Sequence, residues 1–400
     1  MTISYRKNGG KELNTFDEGV EELQKLLNTT FQVWLMGAGA SCASNIPLMY
    51  ALTSRVRGLV GAPNNALLSA ILGELPGSAH IEHVLSHIGD LVAIATRNSS
   101  GKIVLGGNDF DLLALKSLHA EIIRHIAETV RYGYRPAAAG VAESIGAIGD
   151  PIVDIEHHTN FMSTLFSGRS NLESRSRVVF ATTNYDTLIE DSLAICKRNV
   201  FDGFSSGGIG FWTGHSSDLL ENLPPRTHQV IKLHGSVDWL RSDGGNVVRA
   251  RYGTSYLAKL ENTLIYPQAT KYVETQRDPF ADLFRTFRRS LGAHDSHVLC
   301  IVGYSFGDEH INLEIEEAMR RAGNKTNIVA FSREVTAAGG TQLPATLQSW
   351  LADSFAARVY VASDKALYAG GKRLTRVVPD DMSWWTFSGL TQFLQSGAVA

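Results

Sequence analysis

Four short stretches of this chain set glycine or small polar residues at the end of an apolar run. GAGAS, residues 37–41, follows FQVWLM directly. Gly37 and Gly39 allow a tight turn and a close approach of backbone amides, and a helix starting there favours an anion such as phosphate. Ser41 adds a hydroxyl. TTNYD, 182–186, follows RVVFA and places Thr182, Thr183, Asn184 and Asp186 at a strand's C-terminal end, where open α/β sheets hold ligands. Asn184 or Asp186 can equally cap the following helix. KLHGS, 232–236, puts His234 between a strand and a glycine. A histidine at such a loop mouth can act as a general base or orient a hydroxyl, or simply hydrogen-bond its own loop. GYSFGDEHIN, 303–312, follows HVLCIV and brings Gly303, Ser305 and Gly307, with Asp308 placed either to face a ligand or to cap the next helix.

The first turn is not GxxxxGK[ST], which argues against a P-loop triphosphatase. No acidic residue occurs between Glu22 and Glu74, so the carboxylate that holds the ribose in ordinary dehydrogenases is missing. The carboxylates do not cluster as two-metal cleavage requires. His157 and His158 are adjacent but lack companions at zinc-ligand spacing, and Cys42, Cys196 and Cys300 form no CxxC pair. No metal site is expected.

The elements that must position these groups follow from periodicity. FQVWLM, RVVFATT, HQVIKL, HVLCIV, NIVAF and ARVYVA are short, apolar and β-branched, as parallel strands covered on both faces are. FDEGVEELQKLL reads as a helix, as does the stretch after Pro47, where Leu48, Leu52, Val56 and Leu59 recur at helical spacing. Residues 64–170 read as mostly helical, with RNSSGKIVLGGNDF as a loop and no strand alternation. Residues 202–227 and 241–280 read as loops, and SVDWLRSDGG after His234 as a charged loop. Strand, turn, helix, strand is the unit of a doubly wound α/β sheet.

At 400 residues with 44% apolar and 19% charged residues, the chain can bury a sizeable core. A net charge of -3 gives no overall basic field for nucleic acid. ESRSR (173–177) and RTFRR (285–289) read as solvated faces. The first residues lack an apolar signal core, and no run reaches the roughly 18 apolar residues of a membrane helix. The expected setting is the cytoplasm, without membrane contact.

GAGAS, TTNYD, KLHGS and GYSFGD, in this order, resemble the SIR2 (sirtuin-like) superfamily over roughly residues 30–335. With LIYPQATKY (264–272), they resemble most the bacterial antiphage-defence branch, and within it the SIR2 subunit that pairs with a HerA-type ATPase. The resemblance implies a Rossmann-like, mostly parallel sheet with helices on both faces and a helical insertion. It implies an N-terminal extension at 1–30, a catalytic domain at 31–335 that includes 64–170, and a segment at 336–400 that completes the fold or forms an interface. It implies NAD+ as substrate, with Gly37, Ala38, Gly39, Ala40, Ser41, Thr183, Gly303, Ser305 and Asp308 as binding residues. Of these, Ala38–Ala40 would lie along the pyrophosphate, and Gly303, Ser305 and Asp308 toward the adenosine half. Asn184 and Asp186 would face the nicotinamide ribose, and His234 would be the catalytic histidine.

Two departures set the chain apart from protein deacetylases. No cysteine lies between Cys196 and Cys300, so their zinc module is absent, and no peptide-clamping pattern follows His234. The implied activity is therefore hydrolysis of NAD+ to nicotinamide and ADP-ribose. A deacylase, an NAD- or ADP-ribose-binding scaffold, and a nuclease subunit of an ATPase complex stand as alternatives. The implied partners are further copies of the chain, a HerA-like ring ATPase, and nucleic acid reached through that complex. The C-terminal aromatics Trp384, Trp385, Phe387 and Phe393 suit either an interface or the chain's own core.

Overall fold

The structure, a computed structural model, describes residues 13–29, 31–167, 178–205, 207–215, 223–224, 226–241, 246–251, 261–265, 279–292, 297–337, 340–377 and 380–399. ESRSR and most of LIYPQATKY lie outside the described residues.

Strand β1 (Phe31–Met36) stands in the middle of a nine-stranded sheet. On one side it pairs in parallel with β6 (Val178–Thr182), followed by β9 (Thr227–Lys232) and β7 (Asn199–Phe201). On the other side lie β13 (His297–Val302), β14 (Asn327–Ser332) and β17 (Val359–Ser363), also parallel. Antiparallel β18 (Leu367–Ala369) and β19 (Lys372–Leu374) close that edge. Numbered by their order in the chain, the six central parallel strands run 3-2-1-4-5-6, the doubly wound order. The expected Rossmann-like α/β class is what the chain adopts.

Alternation along the strands explains why they read as continuous apolar runs. Trp34 and Met36 of β1 pack into one core with Phe180, Cys300 and Val329, while Val33 and Leu35 pack into a second core on the opposite face. The first core is covered by helices Phe16–Leu27, Glu156–Ser167 and Phe387–Ser396. The second is covered by Phe280–Ser290, Glu309–Arg320 and Ala345–Ala352. Trp384, Phe387 and Phe393 lie in the first core, and Trp384 Nε1 donates to Ser363 O at 2.6 Å. These aromatics close the chain's own core.

A third core belongs to a helical layer of Met49–Leu59, Ala62–Glu74, Ile81–Arg97 and Leu112–Tyr132. The helical reading of 64–170 needs two corrections here. RNSSGKIVLGGNDF contains a hairpin, β2 (Lys102–Leu105) with β3 (Asn108–Asp111). Gly106 and Gly107 form its turn, both at positive φ, the conformation that a two-residue hairpin of matching twist demands. Residues 134–153 form a loop with short pairings, among them β4 (Tyr134–Arg135) with β5 (Ser144–Ile145). The helix that follows, Glu156–Ser167, serves the sheet and not the helical layer.

The loops expected at 202–227 and 241–280 and after His234 are also corrected. There β8 (Ile209–Phe211), β10 (Gly235–Arg241), β11 (Val247–Ala250) and β12 (Glu261–Ile265) form a four-stranded antiparallel sheet. SVDWLR is thus strand. Val237 enters the helical layer's core while Trp239, on the same face two residues on, enters the second core. A small hairpin, β15 (Val335–Ala337) with β16 (Gly340–Gln342), follows β14.

Candidate active site

Register brings the four motifs together. Val302, Met36, Thr182 and Lys232 lie side by side across β13, β1, β6 and β9. GYSFGD, GAGAS, TTNYD and HGS therefore leave the sheet from one row at its C-terminal edge, on both sides of the point where strand order reverses.

The glycine turn packs backbone on backbone. Gly37 N–H donates to Val302 O at 3.0 Å, Gly39 N–H to Gly303 O at 2.9 Å, and Ala40 N–H to Gly37 O at 3.0 Å. A Cβ on Gly39 would stand 2.8 Å from Gly303 Cα, and one on Gly303 would stand 2.2 Å from Ala40 N. Gly303 also has a φ of +63°. These glycines are required by the approach of two βα turns to each other, whatever else approaches them. Ala38 and Ser305 are exposed, Gly39, Thr183 and Gly303 are half-buried, and Gly37, Ala40 and Ser41 are buried.

TTNYD is tied to that turn by side chains. Asn184 Nδ2 donates to Gly37 O at 3.1 Å and to Ser41 Oγ at 2.9 Å, and Ser41 Oγ donates to Asp186 Oδ2 at 2.8 Å. Asp186 Oδ1 accepts from Leu188 N–H at 3.1 Å, so Asp186, just before the N-cap Thr187, holds the start of helix Leu188–Ile195 as well as Ser41. Both donors of the Asn184 amide are thereby engaged, while its Oδ1 is buried with no hydrogen-bond partner among the described residues. A buried acceptor without a partner is uncommon and calls for a cause such as a ligand or water.

His234 is 3% exposed, not at an open loop mouth. Its Nε2 lies 2.8 Å from Asp308 Oδ2. Asp308 Oδ1 meanwhile accepts from His310 N–H at 3.1 Å, capping helix Glu309–Arg320. Asp308 thus caps the next helix, as expected, with one oxygen, and orients the histidine with the other. Tyr304 Oη donates to Asp308 O at 3.2 Å, and burial beside Asp308 pushes the Tyr304 phenol well up.

Sequence reasoning assigned no place in the site to four neighbours. Lys232, 1% exposed, donates to the main-chain oxygen of Asp186 and lies 3.4 Å from Glu190 Oε1. Burial pushes Glu190 up to about 7, with Lys232 pulling the other way. His158 Nδ1 lies 3.3 Å from Ser44 Oγ, and its ring packs 4.8 Å from Phe387. Burial drives His158 down to about 4, opposed chiefly by Asp186. Tyr185 Oη bonds Glu82 of the helical layer. Lys232 could have been noticed as a charge inside the apolar run QVIKL; the partners of His158 and Tyr185 had no local signal.

Residues 178–354 match a family model described as SIR2-like domain. No curated protein sequence matches the chain. Among solved structures, the chain is similar to a Sir2 homologue in complex with NAD, at 14% identity, with 78% of this chain and 83% of that chain covered and a TM-score of 0.37. It is similar to a histidine-to-asparagine mutant of a Sir2 homologue complexed with ADP ribose, at 14% identity, 78% and 85% coverage and a TM-score of 0.34. It is also similar to Sir2Tm bound to a propionylated peptide, at 14% identity, 78% and 86% coverage and a TM-score of 0.36. No group of His, Cys, Asp or Glu among the described residues is arranged to hold a metal ion, and no described helix is long and apolar enough to cross a membrane.

Proposed function

We propose that this chain binds NAD+ at the C-terminal edge of β13, β1, β6 and β9 and hydrolyses its nicotinamide–ribose bond. Water is consumed, and nicotinamide, ADP-ribose and a proton are released. The observation that carries this reading is the buried Asn184 Oδ1, without a hydrogen-bond partner among the described residues and set in the same row of turns as the His234–Asp308 pair. The SIR2-like match over 178–354 supports it.

In this reading Asn184 Oδ1 accepts a hydrogen bond from a ribose hydroxyl or from the attacking water. Its amide donors cannot move far, because Gly37 O and Ser41 Oγ hold them. His234 accepts the proton released as water adds to C1, directly or through a ribose hydroxyl, and Asp308 fixes its ring. Asp186, anchored by Ser41, lies toward the positive charge that grows on the ribose as neutral nicotinamide departs. The amides of Gly37, Gly39 and Ala40 are already donated within the protein. The pyrophosphate therefore meets the turn at exposed Ala38 and half-buried Gly39, with Thr183, Gly303 and exposed Ser305 lining the same edge.

We also assign the chain to the antiphage-defence branch, acting in the cytoplasm as a homo-oligomer docked on a HerA-like ring ATPase that brings it to nucleic acid. Residues 31–335 would then be catalytic, 1–30 an extension, and 336–400 the remainder of the fold or an interface. Motif resemblance supports this assignment.

Incubation of the pure protein with NAD+, with and without the ATPase, tests the chemistry. Chromatography is expected to show nicotinamide and ADP-ribose in equal amounts. No nicotinamide in either setting rejects the reading, and release of acyl groups from acyl-lysine peptide replaces it with a deacylase. Light scattering is expected to give a mass well above the 43.6 kDa of one chain. A monomer that does not co-elute with the ATPase rejects the assembly and leaves the chemistry standing.

A further inference from the structure

In or just beyond two of the four motifs lie charges that the proposed reaction does not use. Lys232 is the first residue of KLHGS, Glu190 lies four residues past TTNYD, and Asp238 follows HGSV. All three are buried, at 1%, 3% and 6% exposure. They meet beneath the turn that carries Asn184 and Asp186. Lys232 Nζ stands 3.4 Å from Glu190 Oε1. Arg251, at the end of β11, reaches Asp238 at 3.3 Å and Asp191 at 2.8 Å. The cluster thus joins β9 of the large sheet, β10 and β11 of the small sheet, and helix Leu188–Ile195.

A buried ammonium is costly unless its charge is paired and its protons are bonded. A hydrophobic residue would fill this place in the sheet at less cost, as Val230 does two residues earlier in the same strand. What the lysine supplies is a charged donor to the main-chain carbonyl of Asp186. That carbonyl lies in the turn between Asn184, whose amide is engaged by Gly37 and Ser41, and Leu188, whose N–H is held by Asp186. The turn is therefore gripped by side chains from above and by the lysine from below.

We propose that Lys232 is a positioning residue for the candidate site: its ammonium, held by Glu190, fixes the Asp186 carbonyl and with it the direction in which Asn184 and Asp186 face the substrate. This rests on the NAD-cleaving reading given above. Lys232 acts on the turn and does not touch the reacting atoms. Its loss should lower turnover more than substrate affinity, because a small misplacement of an aligned group costs on the order of 100-fold in rate.

The test compares Glu190→Gln, which keeps the Lys232–Asp186 bond, with the double variant Lys232→Met/Glu190→Gln, which removes it without leaving a lone buried charge. The double variant is expected to lose about 100-fold in kcat with KM within about threefold, whereas Glu190→Gln loses less than about tenfold. In the same proteins without substrate, hydrogen exchange of the backbone over 183–190 is expected to be faster in the double variant than in Glu190→Gln. If the double variant does not fold, Lys232→Leu/Glu190→Gln takes its place, since leucine carries no donor for the Asp186 carbonyl and no charge is left unpaired. A folded variant with kcat within threefold of wild type, or with unchanged exchange over 183–190, overturns the proposal. If wild type releases no nicotinamide, the NAD-cleaving reading fails, and the exchange comparison alone decides whether Lys232 holds the turn.

Discussion

The GAGAS and TTNYD turns leave paired strands at the same register row, yet they are built on opposite principles. GAGAS meets the turn after β13 through main chain: two amides are donated to Val302 and Gly303 carbonyls, and there is no room for a Cβ between Gly39 and Gly303. TTNYD meets its neighbour through side chains, and one of its buried polar atoms, Asn184 Oδ1, is left without a partner among the described residues. Glycines beside a site therefore do not of themselves mark where a ligand lies. Here they let two turns close on each other, and the group that is buried but unsatisfied belongs to the other turn.

This contrast can be broken most sharply at Gly303. Gly303→Ala places a Cβ 2.2 Å from Ala40 N at a φ of +63°, and a loss of about 4 kcal/mol in urea unfolding is expected. A loss under 1 kcal/mol would show that the turns are free to part.

The next effect is on acid stability. His158 lies between the turns, beside Ser44 and near enough to Asp186 to feel its charge. Its folded pKa is depressed from 6.5 to about 4, so the native state resists protonation that the unfolded chain accepts. Its contribution is present above pH 6.5 and lost as the pH falls toward 4, at most about 3 kcal/mol. Glu190 has the opposite sign. With its pKa raised from 4.5 to about 7, its contribution is present below pH 4.5 and lost as the pH rises through 7. Melting temperature against pH should show a shallower acid fall in His158→Gln and a shallower decline between pH 4.5 and 7 in Glu190→Gln. Slopes identical to wild type would reject both assignments.

Asn184→Ala should separate chemistry from packing. It deletes the Oδ1 acceptor together with two hydrogen bonds, so nicotinamide release is expected to fall about 100-fold while stability falls by only about 1–2 kcal/mol. The cost to stability follows from its burial, which an open loop mouth would not have imposed. Retained turnover would move the site away from TTNYD. The smallest effect is expected at Ser305, exposed on the same edge: Ser305→Ala should change stability by less than about 0.5 kcal/mol and raise KM for NAD+ without changing kcat.

The sequence by itself determined the six central parallel strands of the large sheet, though not their order. Strands buried on both faces are written as unbroken apolar runs, and the small residues at their C-terminal ends mark where turns meet. What it left open were contacts made over long separations. His234 and Asp308 are 74 residues apart, and Tyr185 and Glu82 are 103 apart; no local period encodes such pairs. The small antiparallel sheet was hidden for a related reason. SVDWLR sends Val237 and Trp239 into two different cores and turns Asp238 toward Arg251, so its charge reads as loop until the cation that neutralises it is in place. The tertiary structure alone decided that Asp308 serves histidine and helix together. A carboxylate has two oxygens, and only the meeting of the loops that follow β9 and β13 at one edge of the sheet turns the second one toward a ring.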